Sequence, residues 1–287
     1  MKVLVTGANG QLGYDVIREL HKRKIECIGT LRQDFDITDF KSVEKFITEY
    51  NPQAVIHCAA YTAVDRAEEE LGACYDANVK ATENVAKICK KLDIKMVYIS
   101  TDYVFPGIGE KPYEINDITG PLGIYGKTKL EGENKVKVLL DKYFIVRISW
   151  VFGVNGNNFV KTMLKIGKAK SVLNVVADQI GSPTYTIDVA KLLCDMIETD
   201  KYGVYHATNE GYCSWAEFAE EIFKVAGYDI KVNHVSTTEY PTRAVRPQNS
   251  RLSLKSLDEN GFGRLPHWEN SLIEYIEELK NGDKKWD

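Results

Sequence analysis

Short apolar runs alternate with amphipathic segments along the first half of the chain. Residues 2–6 form an apolar run, and Leu12, Val16 and Leu20 then recur at helical spacing. The same alternation predicts strands at 2–6, 25–29, 54–58, 95–100 and 143–148 and helices at 12–20, 39–50, within 65–92, and at 121–140 with Pro121 at its start. It indicates an α/β fold, a Rossmann-type doubly wound parallel sheet with helices on both faces.

The second half of the chain has a looser pattern. It predicts a helix within 158–168, strands at 172–176 and 204–206, a helix at 187–197, and a capping box at Ser214 and Glu217 that opens a helix to residue 225. We therefore expect a dinucleotide-binding domain over 1–150, to which residues of about 186–210 return. Residues 151–287 would mainly form a smaller C-terminal substrate-binding lobe, with the ligand in the cleft between them.

Composition and charge exclude several classes of protein. The 287 residues carry a net charge of -4, without the basic excess that nucleic-acid binding needs. No run approaches the roughly 20 apolar residues of a membrane span, and the N-terminus lacks a signal-peptide pattern. The six cysteines form no C-x-x-C pair, and the five histidines form no ligand cluster, so we expect a cytoplasmic protein with reduced thiols and no catalytic metal.

A glycine-rich loop follows the first predicted strand. Gly7, Gly10 and Gly13 form a G-x-x-G-x-x-G motif that also contains Asn9, Gln11 and Leu12 and opens the first helix. Glycines there permit a sharp turn and a close approach of the backbone to a pyrophosphate, which the helix N-terminus attracts. The position at the first strand–helix junction favours dinucleotide binding over a plain structural turn.

The end of the second strand bears on the choice between NADPH and NADH. An NAD site usually has an acid about 20 residues beyond the glycine loop, but Thr30, Leu31 and Arg32 stand there and the first carboxylate is Asp34. A hydroxyl and a guanidinium group suit a 2′-phosphate, which favours NADPH modestly; the alternative is that Arg32 is an ordinary surface charge. Asp36 and Ile37 follow at a loop position suited to adenine.

Tyr125 and Lys129 lie four residues apart on a predicted helix, so their side chains can converge. A neighbouring ammonium group makes a phenol useful as an acid–base group near neutral pH. Thr101 follows the fourth strand, at the edge where an open sheet binds ligands, and can donate to the same substrate carbonyl. Tyr125 would then protonate a ketone oxygen during hydride transfer, although a Y-x-x-x-K pair alone is common on surface helices.

The motifs together resemble the extended short-chain dehydrogenase/reductase superfamily and, within it, the dTDP-4-dehydrorhamnose reductase family. The matching stretches are 6–13, 59–65, 100–107, 125–133, 147–153, 157–159, 178–184 and 246–252. The resemblance implies NAD(P)H-dependent reduction of a 4-keto group on a dTDP-linked sugar, with a nucleotide sugar as the partner molecule. It also admits a homodimer, and magnesium at a dimer interface near Asp15, which the sequence itself does not support.

Roles for individual residues also follow from this resemblance. Tyr125 is the expected proton donor, Lys129 its partner and Thr101 the hydroxyl that orients the keto oxygen. The dinucleotide would be contacted by Gly10, Gln11, Leu12, Asp36, Ile37, Ala59, Ala60 and Tyr61. The substrate would be contacted by Thr101, Asp102, Tyr103, Trp150, Asn158 and Arg246, although Trp150 could instead be a core aromatic and Arg246 a solvated charge.

Four other functions remain open on the sequence alone. A nucleotide-sugar 4,6-dehydratase needs a second acid after the first, where this chain has Tyr103 after Asp102. A 4-epimerase, or another 4-ketoreductase, needs no such second acid and would use the same residues that this chain has. A non-catalytic NADP-binding regulatory subunit would have no need for Tyr125, Lys129 and Thr101 together.

Overall fold

The computed structural model describes residues 1–282. Its strands are β1 Lys2–Thr6, β2 Glu26–Thr30, β3 Ala54–His57, β4 Lys95–Thr101, β5 Tyr143–Ile148, β6 Val151–Phe152, β7 Val172–Val176, β8 Ile180–Gly181, β9 Thr184–Tyr185, β10 Gly203–His206, β11 Asn209–Glu210, β12 Cys213–Ser214, β13 Lys231–Val235 and β14 Leu265–His267. Its helices are α1 Gln11–Lys22, α2 Phe40–Tyr50, α3 Val64–Ala67, α4 Leu71–Tyr75, α5 Ala81–Leu92, α6 Ile124–Leu139, α7 Phe159–Gly167, α8 Thr186–Ile197, α9 Trp215–Ala226, α10 Lys255–Glu259 and α11 Trp268–Asn281.

A six-stranded sheet forms the centre of the fold. Its strand order is β10-β5-β4-β3-β1-β2, and every neighbouring pair is parallel. One apolar core lies between the sheet, α1 and α8, and a second lies between the sheet, α2, α5 and α6. The predicted Rossmann-type α/β class is thus confirmed. The apolar strands are buried on both faces, and this requires helices on each side of the sheet.

A third apolar core lies away from this sheet. It is built from α7, α9 and α11 with the short strands β6, β7 and β9, and Phe152, Phe218 and Tyr275 are buried in it. Residues 186–206 pack with the main sheet, but so do Leu254, Leu257 and Leu265, which lie within the predicted second lobe. The chain therefore crosses between the cores more than once, and the division at residue 150 stays a proposal.

The structure corrects some details of the predicted elements. Helix α6 begins at Ile124, with Gly123 as its N-cap, so Pro121 lies before the helix rather than in its first turn. The segment within 65–92 is broken into α3, α4 and α5, with a π-helical turn at Asp76–Lys80. No element was predicted at β13, β14 or α10, whose apolar positions are few or interrupted, or at α11, whose apolar positions do recur at helical spacing.

Parallel strands bring the polar residues that follow them to one edge of the sheet. The turns after β1, β3, β4 and β5 contain Gly7, Ala59, Asp102 and Ser149 respectively. This is the edge at which open α/β sheets bind ligands. The topology thus gathers the separate sequence motifs around one crevice.

Candidate active site

The glycine loop forms a tight turn between β1 and α1. Gly7 has a φ of 68°, in the left-handed region, and the Gly10 amide donates to the Gly7 carbonyl at 2.9 Å. A Cβ at Gly13 would lie 2.3 Å from the Gly7 oxygen, so helix and loop can pack this closely only with glycine. No side chain caps the start of α1, so Gln11 and Leu12 stand at an N-terminus that presents amide groups suited to phosphate.

The loop after β2 places its polar residues at the surface. Arg32 is exposed, and the Asp34 carboxylate accepts from the Leu31 amide at 2.7 Å, so it is turned toward its own loop. Asp36 accepts from the amide and hydroxyl of Thr38, which lowers the pKa of its carboxyl group. Ile37 packs against the core beneath, and its carbonyl accepts from Asn84.

The turn after β3 lies directly against the glycine loop. A Cβ at Gly7 would lie 2.8 Å from the backbone of Ala59, and the Ala59 amide donates to the Thr6 hydroxyl. Ala60 follows in the same half-buried turn, and the Tyr61 amide donates to the Asn78 side chain at 2.8 Å. The structure thus brings together the cofactor candidates from β1 and β3.

Tyr125, Lys129 and Thr101 come together where α6 packs on the end of β4. The Lys129 ammonium donates to the Ile99 carbonyl at 2.6 Å and lies 4.1 Å from the centre of the Tyr98 ring. The Thr101 hydroxyl lies close enough to the Tyr125 hydroxyl to act on it, and it opposes the effect of burial on the pKa of the phenol. Gly126 permits this packing, because a Cβ there would lie 2.3 Å from the Tyr103 carbonyl oxygen.

Burial sets the protonation of this group. Desolvation lowers the pKa of the Lys129 ammonium to about 7, although the negative charge of Glu133 acts to raise it. Desolvation raises the pKa of the Tyr125 phenol, with the Thr101 hydrogen bond acting in the opposite direction. Tyr125 therefore carries its proton at neutral pH, as a proton donor must.

A buried carboxyl group lies beside these residues. The Thr101 hydroxyl donates to Asp102 Oδ1 at 2.9 Å, while burial raises the pKa of Asp102 to about 6. The Ser250 hydroxyl lies close enough to oppose this rise, but neither Ser250 Oγ nor Asp102 Oδ2 has a hydrogen bond of good geometry within residues 1–282. Buried polar atoms without partners are rare, and here they would be satisfied by a polar ligand.

Tyr103 and Arg246 close one side of the crevice. Arg246 donates to the Tyr103 hydroxyl at 3.1 Å and forms an ion pair with Asp65. The Tyr103 ring meets the Tyr125 ring edge to face at 5.5 Å. Arg246 is thus held within the site, with about a fifth of its side chain still exposed.

A cavity of about 800 Å³ is lined by Tyr103 and Ser250 and also by residues of the third core such as Met163 and Val175. Trp150 and Trp215 stack at 3.6 Å between ring centres in its wall, and Trp150 has a φ of 48°, a strained conformation for a tryptophan. A Cβ at Gly181 would lie 2.6 Å from the Trp150 ring. Trp150 is therefore held in place between the third core, against which it packs, and the cavity, of which it forms a wall.

Asn158 lies at the boundary between the cofactor and substrate regions. Its oxygen caps α7 through the Lys161 amide, and its amide group donates to Gln11, Gly153 and Tyr275. A direct substrate contact, as proposed for Asn158, would have to replace one of these bonds. The side chain links α7 to the glycine loop, and its contact with substrate stays a proposal.

Asp15 does not have the surroundings of a metal ligand. Its carboxylate accepts from Arg18 at 2.9 Å and from the Thr186 hydroxyl, and burial raises its pKa. Among residues 1–282, no three His, Cys, Asp or Glu side chains are grouped so that they could hold a metal ion.

In the same part of the chain, no helix is both long and apolar enough to cross a membrane.

Several residues of this crevice were not predicted to belong to it. Trp215 was used only as part of a capping-box pattern, and that box is present at Ser214 and Glu217. Phe159 and Gln179 line the cavity, and Asp65 holds Arg246, but all three were quoted only as parts of motifs. Their neighbours are distant in sequence, so spacing alone gave no signal.

Comparison with known proteins agrees with this geometry. The family model described as the RmlD substrate binding domain matches residues 1–281. A dTDP-4-dehydrorhamnose reductase from Aggregatibacter actinomycetemcomitans is 41% identical, over 94% of this chain and 97% of that protein. The spore coat polysaccharide biosynthesis protein SpsK of Bacillus subtilis is also 41% identical, over 96% of this chain and 97% of its own length.

The solved structures include a similar enzyme with a dinucleotide bound. The dTDP-4-dehydrorhamnose reductase from Bacillus anthracis, in complex with NADP, is 44% identical to this chain with a TM-score of 0.94. The match covers 96% of this chain and 99% of that one. The likeness therefore extends over both the sheet and the region around the third core.

Proposed function

This chain belongs to the RmlD substrate binding domain family, and from that premise we propose that it reduces dTDP-4-dehydro-L-rhamnose to dTDP-L-rhamnose with NADPH or NADH. The observation that carries the proposal is the convergence of Tyr125, Thr101 and Lys129 where α6 meets β4. Relatives of similar length with this activity support it. The protein is thus an oxidoreductase of nucleotide-sugar synthesis.

The residues of the first crevice fit a nicotinamide dinucleotide. Gly7, Gly10 and Gly13 let the loop fold tightly on itself and against the turn at Ala59, at the N-terminus of a helix without a side-chain cap. When bound, the reduced dinucleotide supplies a hydride ion. We propose that the glycine loop holds the pyrophosphate, that Asp36 and Ile37 border the adenine, and that Arg32 favours a 2′-phosphate through its charge.

The chain's own residues supply and steer the proton. The Tyr125 phenol, kept protonated by burial, gives its proton to the 4-keto oxygen as that oxygen becomes an alkoxide. The Thr101 hydroxyl orients the same oxygen, and the Lys129 cation stabilises the phenolate that remains. Loss of the Lys129 proton above its pKa of about 7 weakens that stabilisation.

The larger cavity suits the rest of the substrate. Ser250 lines it with a hydroxyl that has no hydrogen-bond partner in the described part of the chain and can bind a sugar hydroxyl, and Arg246 offers a cation to the diphosphate. Phe159, Met163 and the valines of β7 line the same cavity and offer apolar surface to a nucleobase. A cavity with both kinds of lining suits the two parts of a nucleotide sugar.

Tyr125→Phe tests the proposal directly. We expect wild type to oxidise NADPH or NADH when dTDP-4-dehydrorhamnose is added, followed by absorbance, and the variant to lose kcat by at least ~10³-fold, since it keeps the ring but not the proton. Tyr75→Phe, an exposed tyrosine on α4, is the matched control and should retain wild-type kcat. Equal rates for wild type and Tyr125→Phe would remove Tyr125 from the mechanism.

The same assay separates the alternative functions. A 4-epimerase would convert its substrate without net consumption of reductant, and a regulatory subunit would bind the dinucleotide without turnover. We further propose that the reaction takes place in the cytoplasm, because all six cysteines are free thiols. A homodimer stays a prediction.

A further inference from the structure

Glu133 is a buried carboxylate that the proposed mechanism does not use. It lies on α6 one turn beyond Lys129, so Tyr125, Lys129, Glu133 and Lys137 follow one another at four-residue steps along one side of the helix. Its side chain is fully buried, with 0% exposed. Such a charge is costly to bury and calls for an explanation.

Glu133 ties helix α6 to two strands of the sheet. Its two oxygens accept from Arg147 on β5, each at 2.8 Å, and Oε1 also accepts from the Ser100 hydroxyl on β4 at 2.6 Å. Lys129 binds the carbonyl of the residue before Ser100, and Thr101 comes directly after it. Three consecutive residues of β4 thus join Lys129, Glu133 and the active-site hydroxyl.

Arg147 fixes Glu133 in a single orientation. Arg147 is itself 2% exposed, lies over the Phe105 ring and donates to the Ile115 carbonyl. Its hydrogen bonds and charge outweigh the desolvation of Glu133, so the pKa of Glu133 lies below its ordinary value. Lys137 adds a weaker contact to Glu133 at 3.3 Å.

The other titratable groups that act on Lys129 are neutral near pH 7. Burial raises the pKa of the Cys58 thiol to about 12 and those of the Cys74 thiol and the Tyr98 phenol above their ordinary values, while it lowers that of His57 to about 3. The charge of Glu133, in contrast, acts to raise the pKa of Lys129. Among these neighbours, Glu133 alone is charged between pH 6 and 9.

We propose that Glu133 is a positioning residue for the reduction: it locks α6 to the strand end that carries Thr101, and it keeps the buried Lys129 side chain a cation. The effect is indirect, since Glu133 is separated from Tyr125 by two helical turns. The expected loss of kcat rests on the proposed function, whereas the expected effect of Glu133 on the pKa of Lys129 does not.

The first test measures Lys129 itself, without turnover. Lysine labelled with ¹³C at Cε allows the Lys129 signal to be titrated by NMR and assigned by its absence in Lys129→Met. In wild type we expect a transition near pH 7, and in Glu133→Gln a transition lower by one pH unit or more. Glu131→Gln, the same change on a half-buried residue of α6, should leave the transition where it is.

The second test follows kcat against pH. A shift of the Lys129 pKa from about 7 to about 6 would lower the protonated fraction about tenfold at pH 8 but only about twofold at pH 6. Glu133→Gln should lose kcat in this pH-dependent way, whereas Glu131→Gln should keep the wild-type profile. An equal loss at every pH, with an unchanged Lys129 transition, would overturn the proposal.

Glu133→Gln leaves Arg147 buried without its partner, which can prevent folding. The double variant Glu133→Gln, Arg147→Met removes both charges, and a downward shift of the Lys129 transition in it supports the proposal just as well. Failure of both variants to fold would overturn the proposal, since Glu133 would then be required for the fold itself. If wild type does not reduce the sugar, the proposed function fails, but the NMR titration still decides the role of Glu133.

Discussion

At the residue scale, the site combines three ionisable groups whose environments separate their pKa values. Burial raises the pKa of Tyr125, raises that of Asp102 to about 6 and lowers that of Lys129 to about 7. In each case the charged form is the one that burial opposes. The site therefore holds its proton donor neutral and leaves the two other groups close to their midpoints at neutral pH.

Asp102 should make the stability of the protein depend on pH. Its pKa rises from 3.8 to about 6 on folding, so the folded state binds this proton more strongly than the unfolded chain, and stability falls as the pH rises from about 4 past 6. A shift of about 2 units corresponds to a cost of about 3 kcal/mol at pH 8. Asp102→Asn removes the buried charge and should recover part of this free energy. The gain is smaller than the full cost, because the Thr101 hydroxyl then donates to a neutral amide and no longer to a carboxylate.

Urea denaturation at pH 4.5 and pH 8 measures this effect. The free energy of unfolding of Asp102→Asn, relative to wild type, should be higher at pH 8 than at pH 4.5 by ~1–3 kcal/mol. Asp229→Asn, in the exposed loop after α9, serves as the control and should follow wild type at both values. The same difference in both variants would contradict a buried, protonated Asp102.

The sequence indicated which residues carry the chemistry but not what surrounds them. The motifs at Gly7, Thr101 and Tyr125 lie on separate elements, and the predicted parallel sheet was sufficient to bring them to one edge. The burial of Asp102, the Ser100–Glu133–Arg147 contacts and the Trp150–Trp215 stack depend on side chains far apart in sequence. Such contacts are set by tertiary packing, which periodicity does not encode.

At the element scale, the start of α1 depends on the absence of a side chain at Gly13. Gly13→Ala would place a Cβ 2.3 Å from the Gly7 oxygen, so the loop has to open and lose its phosphate geometry. We expect the Kd for NADPH, measured by calorimetry, to rise at least ~10-fold. Gly72→Ala on α4, where a Cβ would meet nothing within 4 Å, should leave the Kd unchanged.

The capping box of α9 should affect substrate binding as well as stability. Ser214→Ala removes the cap and costs about 1 kcal/mol, and it loosens the first turn, whose first residue, Trp215, stacks on Trp150. The KM for the nucleotide sugar should therefore rise several-fold. Asp39→Ala removes the cap of α2, away from that stack, and should cost similar stability without raising this KM.

Most elements of the first 225 residues were predicted with nearly the right ends, whereas the elements after them were not predicted. The ends of β5 and β7 agree with the structure, and α9 begins as its capping box predicted. Helix α6 begins later than Pro121 suggested, because Gly123 adopts an extended conformation and acts as the N-cap. Helix α11 was not proposed, although Leu272, Tyr275 and Ile276 recur at helical spacing and are buried.

At the scale of the whole molecule, residues 153–158 connect the third core to the glycine loop. Asn155 donates to the Asn9 carbonyl at 2.6 Å and Asn158 to the Gln11 side chain at 3.1 Å. Further along α1, Arg18 bridges Asp15 to Glu278 on α11. The two regions are therefore linked by polar contacts both at the glycine loop and along α1.

Asn155→Ala should show that this link matters for the cofactor. The variant frees the Asn9 carbonyl, so the glycine loop is less restrained and the Kd for NADPH should rise about 3- to 10-fold, which corresponds to ~1 kcal/mol. The thermal midpoint should change little, because the contact is exposed. Asn134→Ala, on the exposed side of α6, should change neither quantity.

The stacked pair of Trp150 and Trp215 also gives the protein a built-in optical signal. Two of its four tryptophans lie 3.6 Å apart in the wall of the larger cavity, so a ring that enters the cavity alters the polarity around both indoles at once. Their emission should shift and dim as the cavity fills. Inhibitors of this half of the site can thus be screened without a label, a radioisotope or the keto sugar itself.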